Sequence, residues 1–503
     1  MTRSGSDRWL YIVVGLGLFV SYAYFYQAGG WNQNSRFALV RAITEKDTLK
    51  IDGYQEATGD RAIWRGHFYT DKAPGASLLA VAPVEVVRAV DGALGIAPES
   101  DAAIALTSYT ATVVASGLFT VAAALCVLWL SLWWGYSRGA AVFAATAYGV
   151  AMPAWCYATL FMGHQLAAGC LMIAFAAAVA LRDASGVNAR RLAWAIGLFA
   201  GWAVVSEFPA AVPVLFITAM ALTTVTRSNA VAAARGDVLI RIVAGGAIAG
   251  AVLLAYNGAA FGSPFHLGYA SEEGFAELKT GLFGISRPEL WRVRDILIGR
   301  YRGLLPLAPL VALAPAGLVV LARARANLAP AIVAAAIALF YLVLNASYFY
   351  WEGGWSFGPR HLAPALPFLA LGLAPLWDRW AATGRGVLAT GWVWGAAMSL
   401  IAVSTTAQPA VAIDRPVTQL FVPAFLSGSL ALNTQRFTDL RPDMDPIARQ
   451  GGPRASWNLG MKIGLTGLAS LIPLGTVWIG CGCFLVWILR PVVSRARPSR
   501  NGQ

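Results

Sequence analysis

Charge is scarce in this 503-residue sequence, at 13% Asp, Glu, Lys and Arg. A soluble globular domain carries about 25%. Hydrophobic residues reach 58%, and mean hydropathy is +0.60. Together these exclude a soluble enzyme and a disordered chain. Cysteine is sparse as well. The five thiols (Cys126, Cys156, Cys170, Cys481 and Cys483) lie in or beside apolar runs. They show neither metal-ligand spacing nor a secreted disulfide framework, so they read as small core residues. Cys481 and Cys483 are two apart and point to different faces of a helix. No P-loop, no H-E-x-x-H and no C-x-x-C occurs, and no serine-nucleophile elbow is expected. These gaps argue against nucleotide, zinc-protease and thiol-redox chemistry. No metal ligand set and no cofactor is predicted.

What the chain does have is long apolar runs. A membrane helix needs about 20 mostly apolar residues. Twelve runs qualify: 9–26, 102–133, 139–155, 165–181, 192–206, 208–225, 242–256, 304–322, 328–348, 362–377, 387–405 and 465–489. The first ends in Ser-Tyr-Ala-Tyr-Phe-Tyr, an aromatic belt rather than a small-residue cleavage site, so it reads as an uncleaved span. The apolar stretch 76–90 is only 15 residues long and is not counted as a span. It carries Glu85 and Arg88 on one helix face, which suits an interfacial or re-entrant helix.

With the N-terminus inside and 76–90 left out, the short loops alternate. Arg138, Arg182, Arg190, Arg191, Arg227, Arg235, Arg241, Arg323, Arg325, Arg379 and Arg385 all fall inside, as does the tail with Arg490, Arg495, Arg497 and Arg500. This is the positive-inside pattern. The net charge of +13 therefore sets orientation and is no sign of nucleic-acid binding. Outside fall the long segments 27–101, 257–303 and 407–464, nearly all the acids and all four histidines. The expected fold class is an all-α polytopic membrane protein. It divides into a transmembrane core (1–405) including outer loop 27–101, an outer loop or small cap (406–464), and a last helix with a basic cytoplasmic tail (465–503).

The first outer loop is the richest in chemistry. It opens on Gly29-Gly-Trp-Asn32-Gln-Asn-Ser-Arg36, and Phe37, Val40, Ala42 and Ile43 fit a short amphipathic helix on the membrane surface. Farther on come Asp52, Asp60, His67, Tyr69 and Asp71-Lys72-Ala-Pro-Gly75. Any of Asp52, Asp60 or Asp71 can serve as a base on a hydroxyl group. Each taken singly also reads as a surface charge or a structural ion pair. Lys72 either snorkels or holds a phosphate. A second segment, 347–361, mixes aromatics and glycines with Glu352, Trp355, Arg360 and His361. That mixture suits a sugar or a phosphate headgroup, although an aromatic belt with a turn accounts for part of it. Arg300 and Arg302 flank the mouth of a span, as headgroup ligands or interfacial anchors. His164 opens another span. Glu207 lies between two short spans, where a carboxylate needs a partner.

In layout and in these segments the sequence resembles the GT-C superfamily of integral-membrane glycosyltransferases, near the aminoarabinose transferase and protein O-mannosyltransferase branches. The likeness is sharpest over 32–75 and weaker over 348–364. It implies a fold with interfacial helices in the first outer loop. It also implies a polyprenyl-phosphate-linked sugar as donor, and a glycan, lipid or protein as acceptor. Asp71-Lys-Ala-Pro-Gly75 is similar to the family stretch whose lysine binds the lipid phosphate, which implies that role for Lys72. The sequence departs from the family where an acidic pair usually follows the first span. Here Trp31-Asn-Gln-Asn34 stands instead, and Asn32 cannot accept a proton. Asp52 is the first choice of base, with Asp60 and Asp71 next. Lys72, Arg302 and Arg360 are expected to neutralise the leaving phosphate. The expected setting is a bacterial plasma membrane, with both termini cytoplasmic and the site on the outer face. A glycan polymerase or ligase, drawing on Arg415, Arg436, Arg441, Arg449 and Arg454 of the late loop, and a lipid-linked-sugar flippase are the competing readings.

Overall fold

A computed structural model describes residues 5–439 and 454–490. Arg441, Arg449, Arg495, Arg497 and Arg500 lie outside the described residues. The chain is a helical membrane protein. Among the described residues, seven helices are long and apolar enough to cross a membrane: Asp101–Trp133, Gly163–Asp183, Phe208–Arg227, Ala232–Phe261, Arg325–Ser347, Ala382–Thr405 and Gly467–Leu489. Helices also occupy the other five apolar runs, at Gly5–Ala23, Arg138–Val150, Gly186–Ser206, Leu310–Ala322 and the pair Leu366–Ala370 and Leu373–Arg379. Those five fall short in length, hydropathy or freedom from charge, so the expected count of twelve rests on them.

Packing follows small residues. Gly186–Ser206 lies against Arg235–Phe261. A Cβ on Gly197 would run into the Ile242 carbonyl oxygen, so only glycine lets the two backbones meet there. The first and last helices are neighbours. Trp478 donates its indole N–H to Ser21 Oγ at 2.9 Å, and Trp9 meets Phe484 edge to face.

The first loop contributes a helix of its own. Its helix spans Trp31–Lys46 and begins six residues before the apolar pattern that predicts it. It does not lie on the membrane with its polar side in water. Asn32, Gln33, Asn34, Ser35 and Arg36 are all buried along with Phe37, Leu39 and Val40. The reason is satisfaction of the polar groups inside the protein. Asn34 donates to the carbonyls of Ala57 and Arg436, and Ser35 Oγ pairs with Thr70 Oγ1 at 2.7 Å. The stretch 76–90 forms the helix Gly75–Ala93, which is not among the seven. It buries Ala76, Ala80 and Val84 and packs on the first-loop helix. Arg88 reaches Glu45 of that helix at 3.0 Å.

The segment after Thr405 is threaded into the first loop. Phe25–Tyr26 pairs antiparallel with Trp457–Asn458. Gly29 N–H donates to the Gln435 carbonyl, and Asn433 Nδ2 donates to the carbonyls of Gln27 and Gly29. Ala28 takes a left-handed φ of 58° to make this turn, a conformation uncommon outside glycine.

Candidate functional site

Four separate parts of the chain converge on one cavity. The first-loop helix presents Asn32 and Arg36 one turn apart. The short hairpin of Ala62–Trp64 and His67–Tyr69 is flanked by Asp60 and by Asp71-Lys72. The break between Gly186–Ser206 and the next helix supplies Glu207. The 3₁₀ turn Arg360–Ala365 supplies Arg360 and His361. All of these except Asp71, together with His164 and Tyr269, line one cavity of about 510 Å³. Its other wall is apolar and includes Val212, Phe340 and Leu344 from membrane-crossing helices.

The charges are arranged in two linked clusters. Lys72 Nζ lies 2.8 Å from Asp60 Oδ2 and 2.6 Å from Asp71 Oδ2. Burial favours the neutral amine, yet the two carboxylates outweigh it and hold Lys72 protonated. Asp71 is fully buried, and burial pushes its carboxyl pKa up against the pull of Lys72. In the second cluster, Arg36 donates to Glu207 Oε1 at 2.9 Å, to Asn32 Oδ1 at 3.1 Å and to the Ala73 carbonyl at 2.8 Å. His164 Nδ1 lies 3.3 Å from the same Glu207 oxygen. Burial works against the Glu207 charge, but His164 and Arg36 hold its pKa down to about 2. Gly163 makes room for this carboxylate, because a Cβ there would overlap Glu207 Oε1.

Arg360 differs from the other two cations. Among the described residues it forms no ion pair, and its Nε has no hydrogen-bond partner. It lies over the Tyr350 ring at 5.8 Å. His361 stacks edge to face on Tyr348 and His164. Burial and then Arg360 push its imidazole pKa well below the ordinary value, so it is neutral. The Nε2 atoms of His164 and His361 are buried without partners, which marks polar capacity left for a ligand.

A second cavity of about 300 Å³ adjoins the first. Asn32, Asp60, Phe275, Tyr350 and Arg360 line both. Asp60 and Arg360 therefore stand at the junction of an apolar-walled chamber and a smaller polar one. Among the described residues no group of three or more His, Cys, Asp or Glu is placed to hold a metal ion.

No protein-family model matches the chain, and no curated protein matches its sequence. Solved structures do match it. ArnT from Cupriavidus metallidurans in the apo state superposes with a TM-score of 0.51 at 16% identity, covering 97% of this chain and 76% of that one. The same protein bound to undecaprenyl phosphate gives a TM-score of 0.52 at the same identity and coverage. The chain has the GT-C fold.

Within this GT-C fold, the sequence-predicted residues separate into three groups. Asn32, Arg36, Asp60, Lys72, His164, Glu207, Arg360 and His361 line the large cavity, and Trp355 lines the small one. Asp71 sits behind Lys72, lines neither cavity and contacts Ser35 Oγ at 3.4 Å. The remainder lie elsewhere. Asp52 is exposed, bound to His67 Nδ1 at 2.8 Å and to the Phe68 N–H at 2.7 Å. Tyr69 packs on Phe261 in a satellite core. Arg300 is exposed. Arg302 is buried and donates to the carbonyls of Gly354 and Pro409, where it ties loops together. Glu352 is half-buried outside both cavities.

The stretch Gly354-Trp-Ser-Phe-Gly358 fits the bare G-x-S-x-G spacing without forming the nucleophile elbow. The structure gives it another use. Ser356 is fully buried in a loop with no flanking strand, and its hydroxyl donates to the carbonyls of Glu352, Gly354 and Gly358 and also meets the Tyr157 side chain. An elbow needs a strand, a turn and a helix that expose the oxygen. Sequence reasoning also passed over Tyr269, Tyr350, Gln33, Gln408 and Gln435 as site residues. The two late glutamines carry no local signal, because they reach the site only by the threading of the last outer segment.

Proposed function

We propose that this protein transfers a sugar from a polyprenyl-phosphate donor to an acceptor hydroxyl at the outer face of a bacterial plasma membrane, with both termini cytoplasmic. The observation that carries the reading is the large cavity. It joins an apolar wall of membrane helices, fit for a prenyl chain, to Lys72, Arg36 and the unpaired Arg360. ArnT, whose fold this chain shares, has been solved with undecaprenyl phosphate bound.

Asp60 is the base in this reading, in place of Asp52. It alone of the three candidate acids lines the cavities, and it stands at their junction. Its carboxylate takes the acceptor's hydroxyl proton as the new C–O bond forms at the anomeric carbon. The bond from that carbon to the phosphate oxygen breaks, and the electron pair leaves on the phosphate. Attack opposite the leaving group inverts the anomeric centre. Protonation of Asp60 removes one counter-charge from Lys72, 2.8 Å away. The lysine's charge is thereby released towards the departing phosphate, beside Arg360. The late-loop arginines on which a polymerase reading drew do not line either cavity where they are described. Arg436 pairs with Asp101 and Arg454 with the Leu430 carbonyl.

The test uses purified full-length protein in lipid nanodiscs and a panel of polyprenyl-phosphate sugars. Asp60→Asn should lower transfer by roughly 10²–10⁴-fold while undecaprenyl phosphate still binds. Arg360→Met should weaken that binding. Wild-type turnover in Asp60→Asn would overturn the base assignment, and absent lipid-phosphate binding would overturn the whole reading.

A further inference from the structure

The smaller cavity has a chemistry distinct from the larger one. Four side-chain amides line it: Asn32, Gln33, Gln408 and Gln435. Aromatic side chains, Trp31 and Trp355 among them, form much of the remaining wall. Among the described residues its only charged ones are Asp60 and Arg360, both at the junction.

The amides are fixed but not used up. Gln33 Nε2 donates to Gln408 Oε1 at 2.6 Å, and Gln408 Nε2 donates to the Gly29 carbonyl at 3.0 Å. Asn32 spends its oxygen on Arg36. Asn32 Nδ2, Gln33 Oε1 and both polar atoms of Gln435 remain without partners among the described residues. Those three side chains are more than nine-tenths buried. Buried amide groups left open towards a void are costly unless something fills it with complementary donors and acceptors.

We infer that this second cavity is a subsite for an uncharged saccharide ring. The inference rests on the transferase reading above and deepens it. Hydroxyl groups both donate and accept, which matches an unpaired amide N–H₂ beside unpaired amide oxygens. The C–H face of a sugar ring covers aromatic surface that water would wet poorly. A volume of about 300 Å³ lies at the lower end of small-molecule sites. A charged sugar fits badly. Asp60 is already bonded to Lys72, and Arg360 also faces the lipid phosphate of the large cavity. A carboxylate or ammonium on the ring would therefore be buried with no counter-charge of its own. The ring comes either from the donor's sugar or from a glycan acceptor, because both present the same chemistry at this junction.

Saturation-transfer NMR on the full-length protein in nanodiscs tests this with methyl glycosides of a neutral hexose, a hexosamine and a hexuronic acid. The neutral glycoside should show the strongest transfer, at least several-fold above the charged pair. Gln435→Leu or Gln33→Leu should abolish the difference. Equal or stronger signals from the charged glycosides in the wild type would overturn the inference, with no variant needed. So would an unchanged preference in both leucine variants. Undecaprenyl-phosphate hexose added in excess separates the sources. Loss of the glycoside signal supports a ring supplied by the donor, and persistence supports an acceptor ring. Binding of undecaprenyl phosphate alone is measured in parallel. Its failure would sink the transferase reading, whereas its success with no glycoside preference would sink only this inference.

Discussion

Glu207 gives the most quantitative handle on the site. Its carboxylate accepts from Arg36 at 2.9 Å and faces His164 at 3.3 Å, with only 12% of its side chain exposed. A pKa held down to about 2, against about 4.3 in an unfolded chain, corresponds to about 3 kcal/mol in favour of the ionised folded state. Glu207→Gln should cost on the order of 3 kcal/mol of stability at pH 7, in line with roughly 3–5 kcal/mol for breaking a buried pair. The sign follows from the downward shift. The wild type has this stabilisation above about pH 4.5 and loses it as pH falls towards 2. The variant lacks it throughout, so the gap between the two should close on acidification. The assay is thermal unfolding in nanodiscs, followed by a thiol-reactive dye that reports on buried Cys156 and Cys170. Arg36→Met and the double variant complete a cycle, in which the double should lose clearly less than the sum of the singles. A Glu207→Gln protein that melts with the wild type at pH 7, or a gap that does not narrow in acid, would refute the pairing.

Three further outcomes are expected. Asp52→Asn should leave transfer within about twofold of wild type, since this acid is bonded to His67 and the Phe68 N–H and lines neither cavity; a loss like that of Asp60→Asn, read in the same turnover assay, would move the base back to Asp52. Lys72→Met leaves Asp60 and Asp71 facing each other. The Asp71 carboxyl, already pushed up by burial, loses the pull of Lys72 and should be pushed up further, so the variant should be markedly less stable at pH 8 than at pH 5 in melting scans. Gly163→Ala puts a Cβ into Glu207 Oε1 and close to the Ser206 carbonyl. It should lower the melting temperature and weaken undecaprenyl-phosphate binding together, as measured by dye melting and titration.

The sequence alone determined the solvent this chain folds in. Low charge, long apolar runs and arginines confined to alternate loops decide membrane residence, because each is a property of local composition. The same holds for 76–90, where Glu85 and Arg88 forecast a helix apart from the membrane-crossing set. Local sequence also marked Lys72, Glu207 and Arg360-His361, since a charge beside an apolar helix needs a reason wherever it lies. Which carboxylate faces the cavity was not legible. Asp52, Asp60 and Asp71 look alike in sequence, and only the hairpin between Ala62 and Tyr69 turns one outward to His67, one into the cavity and one behind the lysine. Nor could the amphipathic pattern of the first-loop helix reveal that its polar end is buried. That end is satisfied by Ala57, Thr70 and Arg436, and the last of these lies some 400 residues away. Gln408 and Gln435 reach the smaller cavity for the same reason. Their place depends on a late segment pairing with the turn after the first helix, and hydrogen bonds between distant backbones leave no trace in the local residue pattern.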